Sequence, residues 1–191
     1  MPSIKGTKTE QNLLKSFAGE SQARNRYNFA AKVAKKEGYE QISALFLETA
    51  ENERQHAKGF FRFLEGGMVE ITAAYPAGVI GTTIENLKAA AAGEHEEHTE
   101  LYPEFARIAK EEGFPQIATY YNLVSQVEKH HEARYLMLLK TIEEGTTFRK
   151  TEPVQWICRQ CGYIHEGPEA PAECPCCNHP QAHFQLLTDS Y

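Results

Sequence analysis

Two short motifs, Glu53-x-x-His56 and Glu128-x-x-His131, carry residue types and a spacing that could hold metal. A carboxylate and an imidazole three positions apart share one face of an α-helix, so each motif can aim an oxygen and a nitrogen at the same point. The motifs lie on apolar stripes. One stripe runs Ile42, Phe46, Thr49, Glu53, His56, Phe60 and Phe63, and the other Ile117, Tyr121, Val124, Glu128, His131, Tyr135 and Leu138. Glu20, Glu94 and Glu97 fall on the stripes of two further helical segments, so five carboxylates and two imidazoles point into one core.

Unpaired carboxylates in such a core are costly, and five together would take up protons or drive the helices apart. A pair of cations resolves the conflict: two ferrous ions leave the site one unit negative and two ferric ions one unit positive. Oxygen ligands with one imidazole per metal favour iron or manganese over zinc or copper. A single helical glutamate is usually solvated, but two such motifs at equivalent places in a repeat are not expected of solvated faces. His95, His98 and His130 neighbour the motifs yet fall off the repeat, and are expected at the surface or behind the ligands. Tyr27 and Tyr102, one or two turns beyond Glu20 and Glu94, either hydrogen-bond these carboxylates or simply pack in the core.

A second constellation follows near the C-terminus. Cys158-x-x-Cys161 and Cys174-x-x-Cys177 are two knuckles separated by twelve residues, the signature of a tetrahedral sulfur site. Spacing alone does not choose between zinc and iron; Gly162 and Pro175 favour iron by shaping knuckles whose amides donate to the sulfurs. Cys176 is the odd thiol and is expected to be free. All five cysteines fall between Cys158 and Cys177, so they cannot staple the rest of the chain, and a reducing compartment would keep them as thiolates.

Four helices must position the carboxylates, and periodicity places them near 8–36, 39–65, 83–112 and 115–144. Thr7 with Glu10 and Thr82 with Glu85 have capping-box spacing, and Gly38, Gly66, Gly113 and Gly145 mark the far ends. Short links at Gly38 and Gly113 make two antiparallel hairpins, and Gly66–Gly81 is long enough to cross the bundle. The second hairpin repeats the first: Ala34–Gly38, Glu53, His56 and Tyr27 map onto Ala109–Gly113, Glu128, His131 and Tyr102 at an offset of 75. Gly19-Glu20, however, maps onto Gly93-Glu94 at 74. The extra residue predicts a π-bulge between Glu94 and Tyr102. After about Thr146 helical patterning stops, and Pro153 leads into a short strand, Val154–Cys158. The expected division is a helical domain over 1–148 and a cysteine domain over 149–191.

The net charge of -6 offers nothing to nucleic acid or anionic lipid. No stretch approaches the roughly 18 apolar residues of a membrane span, and the N-terminus has no apolar leader, so a soluble, cytoplasmic protein is expected.

Together the two constellations resemble the rubrerythrin family over essentially the whole chain. The resemblance implies a ferritin-like four-helix di-iron bundle fused to a small rubredoxin-like domain with short β-strands. It implies di-iron ligands Glu20, Glu53, His56, Glu94, Glu97, Glu128 and His131, and a third iron held by Cys158, Cys161, Cys174 and Cys177. It further implies that one iron exchanges Glu97 for His56 on reduction, a neutral ligand compensating the lost metal charge. Asn178 stands where a glycine is usual after the last cysteine, which Asn tolerates in left-handed geometry. The implied activity is reduction of hydrogen peroxide to water in oxidative-stress defence, with Glu97, His56, Tyr27 and Tyr102 around the chemistry. With no Gly-x-Gly-x-x-Gly or Walker loop, electrons must come from another protein, a rubredoxin or an NAD(P)H-dependent reductase. A head-to-tail homodimer is also implied. The rivals are a ferroxidase or iron-handling protein and a non-catalytic electron carrier.

Overall fold

The computed structural model describes residues 2–188. Helix α1 (Lys8–Lys36) opens at Thr7, whose side chain accepts the Glu10 amide. Glu10 reaches back to the Gly6 amide at 2.8 Å, one residue beyond the reciprocal bond expected with Thr7. Gly38, at φ 86°, turns the chain into α2 (Glu40–Phe61). This helix stops four residues before the expected 65, because the Phe63 and Leu64 amides close on the Phe60 and Phe61 carbonyls in a tightened last turn. The crossover then runs to Thr82, where the full capping box with Glu85 starts α3 (Thr83–Glu96).

The third rod is not one α-helix. A π-helical turn, Glu97–Leu101, separates α3 from α4 (Tyr102–Glu111), where the extra residue of the repeat predicts it. Gly113 closes the second hairpin into α5 (Pro115–Glu143). Two apolar clusters fill the bundle, one around Tyr27, Phe46, Leu87 and Tyr135, the other around Phe60, Tyr102, Ile117 and Tyr121. On each rod the inward carboxylates fall between the residues of these two clusters. A polar layer is thus closed above and below by packed side chains.

Beyond the bundle, strands β1 (Arg149–Cys158), β2 (Ile164–Glu169) and β3 (Phe184–Leu186) form an antiparallel sheet in the order β2-β1-β3. Trp156 pairs with His165 on one side and Leu186 on the other, and its indole donates to the Gly167 carbonyl at 3.0 Å. The strand is longer than Val154–Cys158 because β1 continues back to Arg149 through a register irregularity around Pro153, which has no amide to offer the ladder. The residues just before β1 and β3 meet the bundle at the first hairpin: Tyr39 stacks on Phe148 with centroids 6.3 Å apart, and His183 Nε2 lies 3.8 Å from Glu40 Oε1. No helix among the described residues is long and apolar enough to cross a membrane.

Candidate metal centres

Each Glu-x-x-His motif brings its two side chains inward from one turn of helix, α2 for the first and α5 for the second. Glu53 and Glu128 sit between the two histidines and divide their oxygens. Glu53 Oε2 and Glu128 Oε1 lie 2.8 and 2.9 Å from His56 Nδ1. Their other oxygens, Glu53 Oε1 and Glu128 Oε2, lie 3.3 and 2.9 Å from His131 Nδ1. Glu20 Oε1 joins the His56 side at 3.8 Å and Glu94 Oε2 the His131 side at 3.7 Å. The result is two adjoining four-residue clusters sharing Glu53 and Glu128, each with its ligand atoms within 4.8 Å of one another.

Apart from the 2.8 Å hydrogen bond between His56 Nδ1 and Glu53 Oε2, most of these atoms converge without satisfying one another. Glu20 Oε2, Glu53 Oε1, Glu94 Oε2, both Glu128 oxygens and His131 Nδ1 are buried with no hydrogen-bond partner. So many orphaned acceptors in an apolar interior are what a pair of cations would satisfy. Their outer atoms are held: the Tyr27 hydroxyl donates to Glu94 Oε1 and the Tyr102 hydroxyl to Glu20 Oε1, each at 2.5 Å.

Electrostatics follow the same geometry. Burial, reinforced by the charge of Glu53, pushes Glu94 from 4.5 up to about 8. Burial also raises Glu20 and Glu97 well above the carboxylate range, with Glu128 the main neighbour for the first and Glu94 for the second. Burial opposes ionisation of Glu53 too, but the two imidazoles bring it down to about 2. Burial would depress His56 and His131, yet Glu128 and Glu53 hold them at about 10 and 12. Without cations the cluster is a proton store.

Glu97 stands apart. It belongs to neither cluster and instead lines a 410 Å³ cavity with Arg26, Tyr75 and Tyr102. It opens the π turn three residues after Glu94, and its amide still bonds back to the Gly93 and Glu94 carbonyls. Asn52, unremarkable in the sequence, lies with Oδ1 3.3 Å from His131 Nε2 and fixes that ring from behind. Nothing in the repeat marks it, because its counterpart in the second hairpin is Val127.

In the small domain, Cys158 Sγ lies 3.8 Å from Cys177 Sγ and Cys161 Sγ 3.7 Å from Cys174 Sγ. Disulfides require about 2.05 Å, whereas a tetrahedral ion with metal–sulfur bonds of about 2.3 Å sets sulfurs about 3.8 Å apart. Burial opposes ionisation of Cys174, but the amides of Cys176 and Cys177 donate to its sulfur and bring it from 9.0 to about 7. Asn178 follows at φ 57°, in the left-handed geometry that position requires. Cys176 is exposed and outside the cluster.

Residues 11–139 match the family model described as Rubrerythrin, and residues 156–185 match that of the rubrerythrin rubredoxin-like domain. The chain belongs to the rubrerythrin family. It is 60% identical over 189 residues to the rubrerythrin of Porphyromonas gingivalis, covering 99% of this chain and 94% of that one. The rubrerythrin of Nitratidesulfovibrio vulgaris is 56% identical, with 98% of each chain covered. Among solved structures, nigerythrin in a mixed-valence state superposes with a TM-score of 0.64 at 31% identity, over 96% of this chain and 91% of that one. A bacterioferritin of Mycobacterium tuberculosis shares the fold at a TM-score of 0.62 and 17% identity. As in other rubrerythrins, then, a ferritin-like bundle carries the carboxylate–histidine cluster of a di-iron site and a rubredoxin-like domain carries a four-cysteine iron site.

Proposed function

We infer that this chain is a peroxidase that reduces hydrogen peroxide to water, with electrons delivered through the four-cysteine centre. The observation carrying this reading is Glu97, a ligating residue type placed beside the di-iron cluster but facing a cavity. In this reading Glu20, Glu53, His56 and Glu128 would hold one iron and Glu53, Glu94, Glu128 and His131 the other, with Glu97 the further carboxylate that would stand in for His56. The irons, when bound, supply one electron each to break the O–O bond.

The chain's own groups supply position and protons. Reduction of one peroxide to two waters consumes two electrons and two protons, so proton carriers must stand at the cleavage point. Glu97, whose carboxyl is raised by burial and by the neighbouring Glu94, is read as the proton carrier on the cavity side of the cluster. The cavity beneath Thr72–Pro76 gives a small polar molecule a route to it. Tyr102 and Tyr27 keep their hydroxyl protons on Glu20 and Glu94, fixing the orientation of both carboxylates.

The rubredoxin-like domain touches α2 near Glu40, about 20 Å along the helix from Glu53 at 1.5 Å per residue. We therefore read the cluster it serves as that of a second copy in a head-to-tail homodimer. The electron donor to the four-cysteine centre is read as a rubredoxin or an NAD(P)H-dependent reductase.

The test is to reduce the iron-loaded full chain anaerobically and mix it with peroxide or with oxygen. Reoxidation should be much faster with peroxide, and Glu97→Ala should lose that reaction. Preference for oxygen, or growth of an iron core, overturns the reading in favour of a ferroxidase.

A further inference from the structure

Three more ligand-type side chains converge on the outer face of the bundle. His95 ends α3, His98 lies in the π turn and Glu132 is on α5. Glu132 Oε1 is 2.9 Å from His95 Nδ1, and Glu132 Oε2 is 2.6 Å from His98 Nε2. The two rings meet edge to face with centroids 5.4 Å apart. All three ligand atoms lie within 4.8 Å of one another.

The placement follows from helical phase. Each of the three comes one position after an inward residue, Glu94, Glu97 or His131, and one position is about 100° of rotation. What faces the cluster on one residue faces outward on the next. His98 lies in the π turn, and the Ser125 hydroxyl donates to the His98 carbonyl at 3.2 Å, tying that turn to α5. The His98 and Glu132 side chains are only 12% and 19% exposed, whereas His95 is 58% exposed. Two ligands are thus held in place and the third stands at the mouth.

Two imidazoles and one carboxylate are a donor set for a borderline divalent ion, with positions left for water. We propose that His95, His98 and Glu132 form a further metal site, distinct from the di-iron cluster and the four-cysteine centre, that takes an exchangeable first-row divalent cation such as Zn2+ or Fe2+ from solution. The single carboxylate leaves the occupied site with net positive charge, and the open side at His95 lets the ion come and go. A hydrogen-bonded bridge between α3 and α5 without metal is the competing account of the same contacts.

The experiment is equilibrium dialysis of the iron-loaded full chain against Zn2+, with iron content measured alongside. One additional zinc per chain is expected with no loss of iron, and its affinity should fall about tenfold or more in His95→Ala and in Glu132→Gln. Loading with Co2+ should give a d–d absorption band that both variants lose. Zinc should raise the melting temperature of the parent chain and leave that of His95→Ala unchanged. No extra zinc, zinc entering only as iron leaves, or equal binding by the parent and both variants would each overturn the site and leave the bridge.

Discussion

The Tyr102 hydroxyl donates a 2.5 Å hydrogen bond to Glu20 Oε1, from one hairpin of the bundle to the other. Tyr27 does the same for Glu94 in the opposite direction. Each half of the repeat therefore orients the outer glutamate of the other half. The two halves differ by one residue between glutamate and tyrosine, and the π turn at Glu97–Leu101 absorbs that difference so that both bonds can form.

Tyr102→Phe should accordingly lower the stability of the iron-loaded protein by about 1.5–3 kcal/mol, the range for a buried hydrogen bond to a charged group. Tyr27→Phe should behave alike. Denaturant midpoints measure this, and a midpoint unchanged in either variant would mean that the tyrosines only pack.

Metal removal should invert the pH dependence of stability. In the metal-free protein Glu94 titrates at about 8 against its ordinary 4.5, so its stabilising contribution is full below pH 4.5 and is lost as the pH rises through 8. Glu20 and Glu97 are raised too and act in the same direction. His56 and His131 contribute fully below pH 6.5 and lose that contribution on rising through about 10 and 12. Glu53, lowered to about 2, opposes this only in acid, where its contribution fades below pH 4.5. Melting temperatures of the metal-free chain should thus fall from pH 5 to pH 8. The iron-loaded chain should rise over that window, because the cations need ionised carboxylates. Parallel curves for the two forms would show that the cluster is not where the metal binds.

The cysteines separate cleanly by geometry. Cys176→Ser should leave the visible spectrum of the sulfur-bound iron unaltered, since its thiol is exposed and outside the cluster. Cys177→Ser should abolish or strongly shift that spectrum, because it removes one of four sulfurs. A reversed outcome would move the ligand set by one residue.

Much of this was legible in residue spacing, for reasons that are local. Glu53-x-x-His56 and Glu128-x-x-His131 needed only helical geometry, and the π turn needed only the mismatch of 75 against 74 in the repeat. The stand-off of Glu97 was not legible, because periodicity reports which face a residue occupies and not how far its carboxylate stands from its neighbours. His95 and His98 were expected at the surface or behind the ligands; that they meet Glu132 depends on how α3 lies against α5, which no local pattern records. Asn52 was missed because it breaks the repeat that revealed its neighbours.

One packing relation behind the site is tight enough to test by a single methyl. Gly59 lies three residues after His56, and a Cβ built there would come within 1.7 Å of the Tyr120 hydroxyl oxygen and 2.2 Å of its Cζ. That ring packs against Phe60 at 5.0 Å and donates to the His56 carbonyl at 3.3 Å. Alanine ordinarily stabilises a helix interior by up to about 1 kcal/mol over glycine, but here the ring must leave its place, and overpacking of this kind costs about 1–3 kcal/mol. Gly59→Ala should therefore destabilise the fold and disturb the iron spectrum through the displaced His56 backbone. Combining it with Tyr120→Ala removes the clash, so the double variant should be more stable than Tyr120→Ala alone. If Gly59→Ala instead raises the denaturant midpoint of the parent chain, the ring is free to move and does not hold α2 in place.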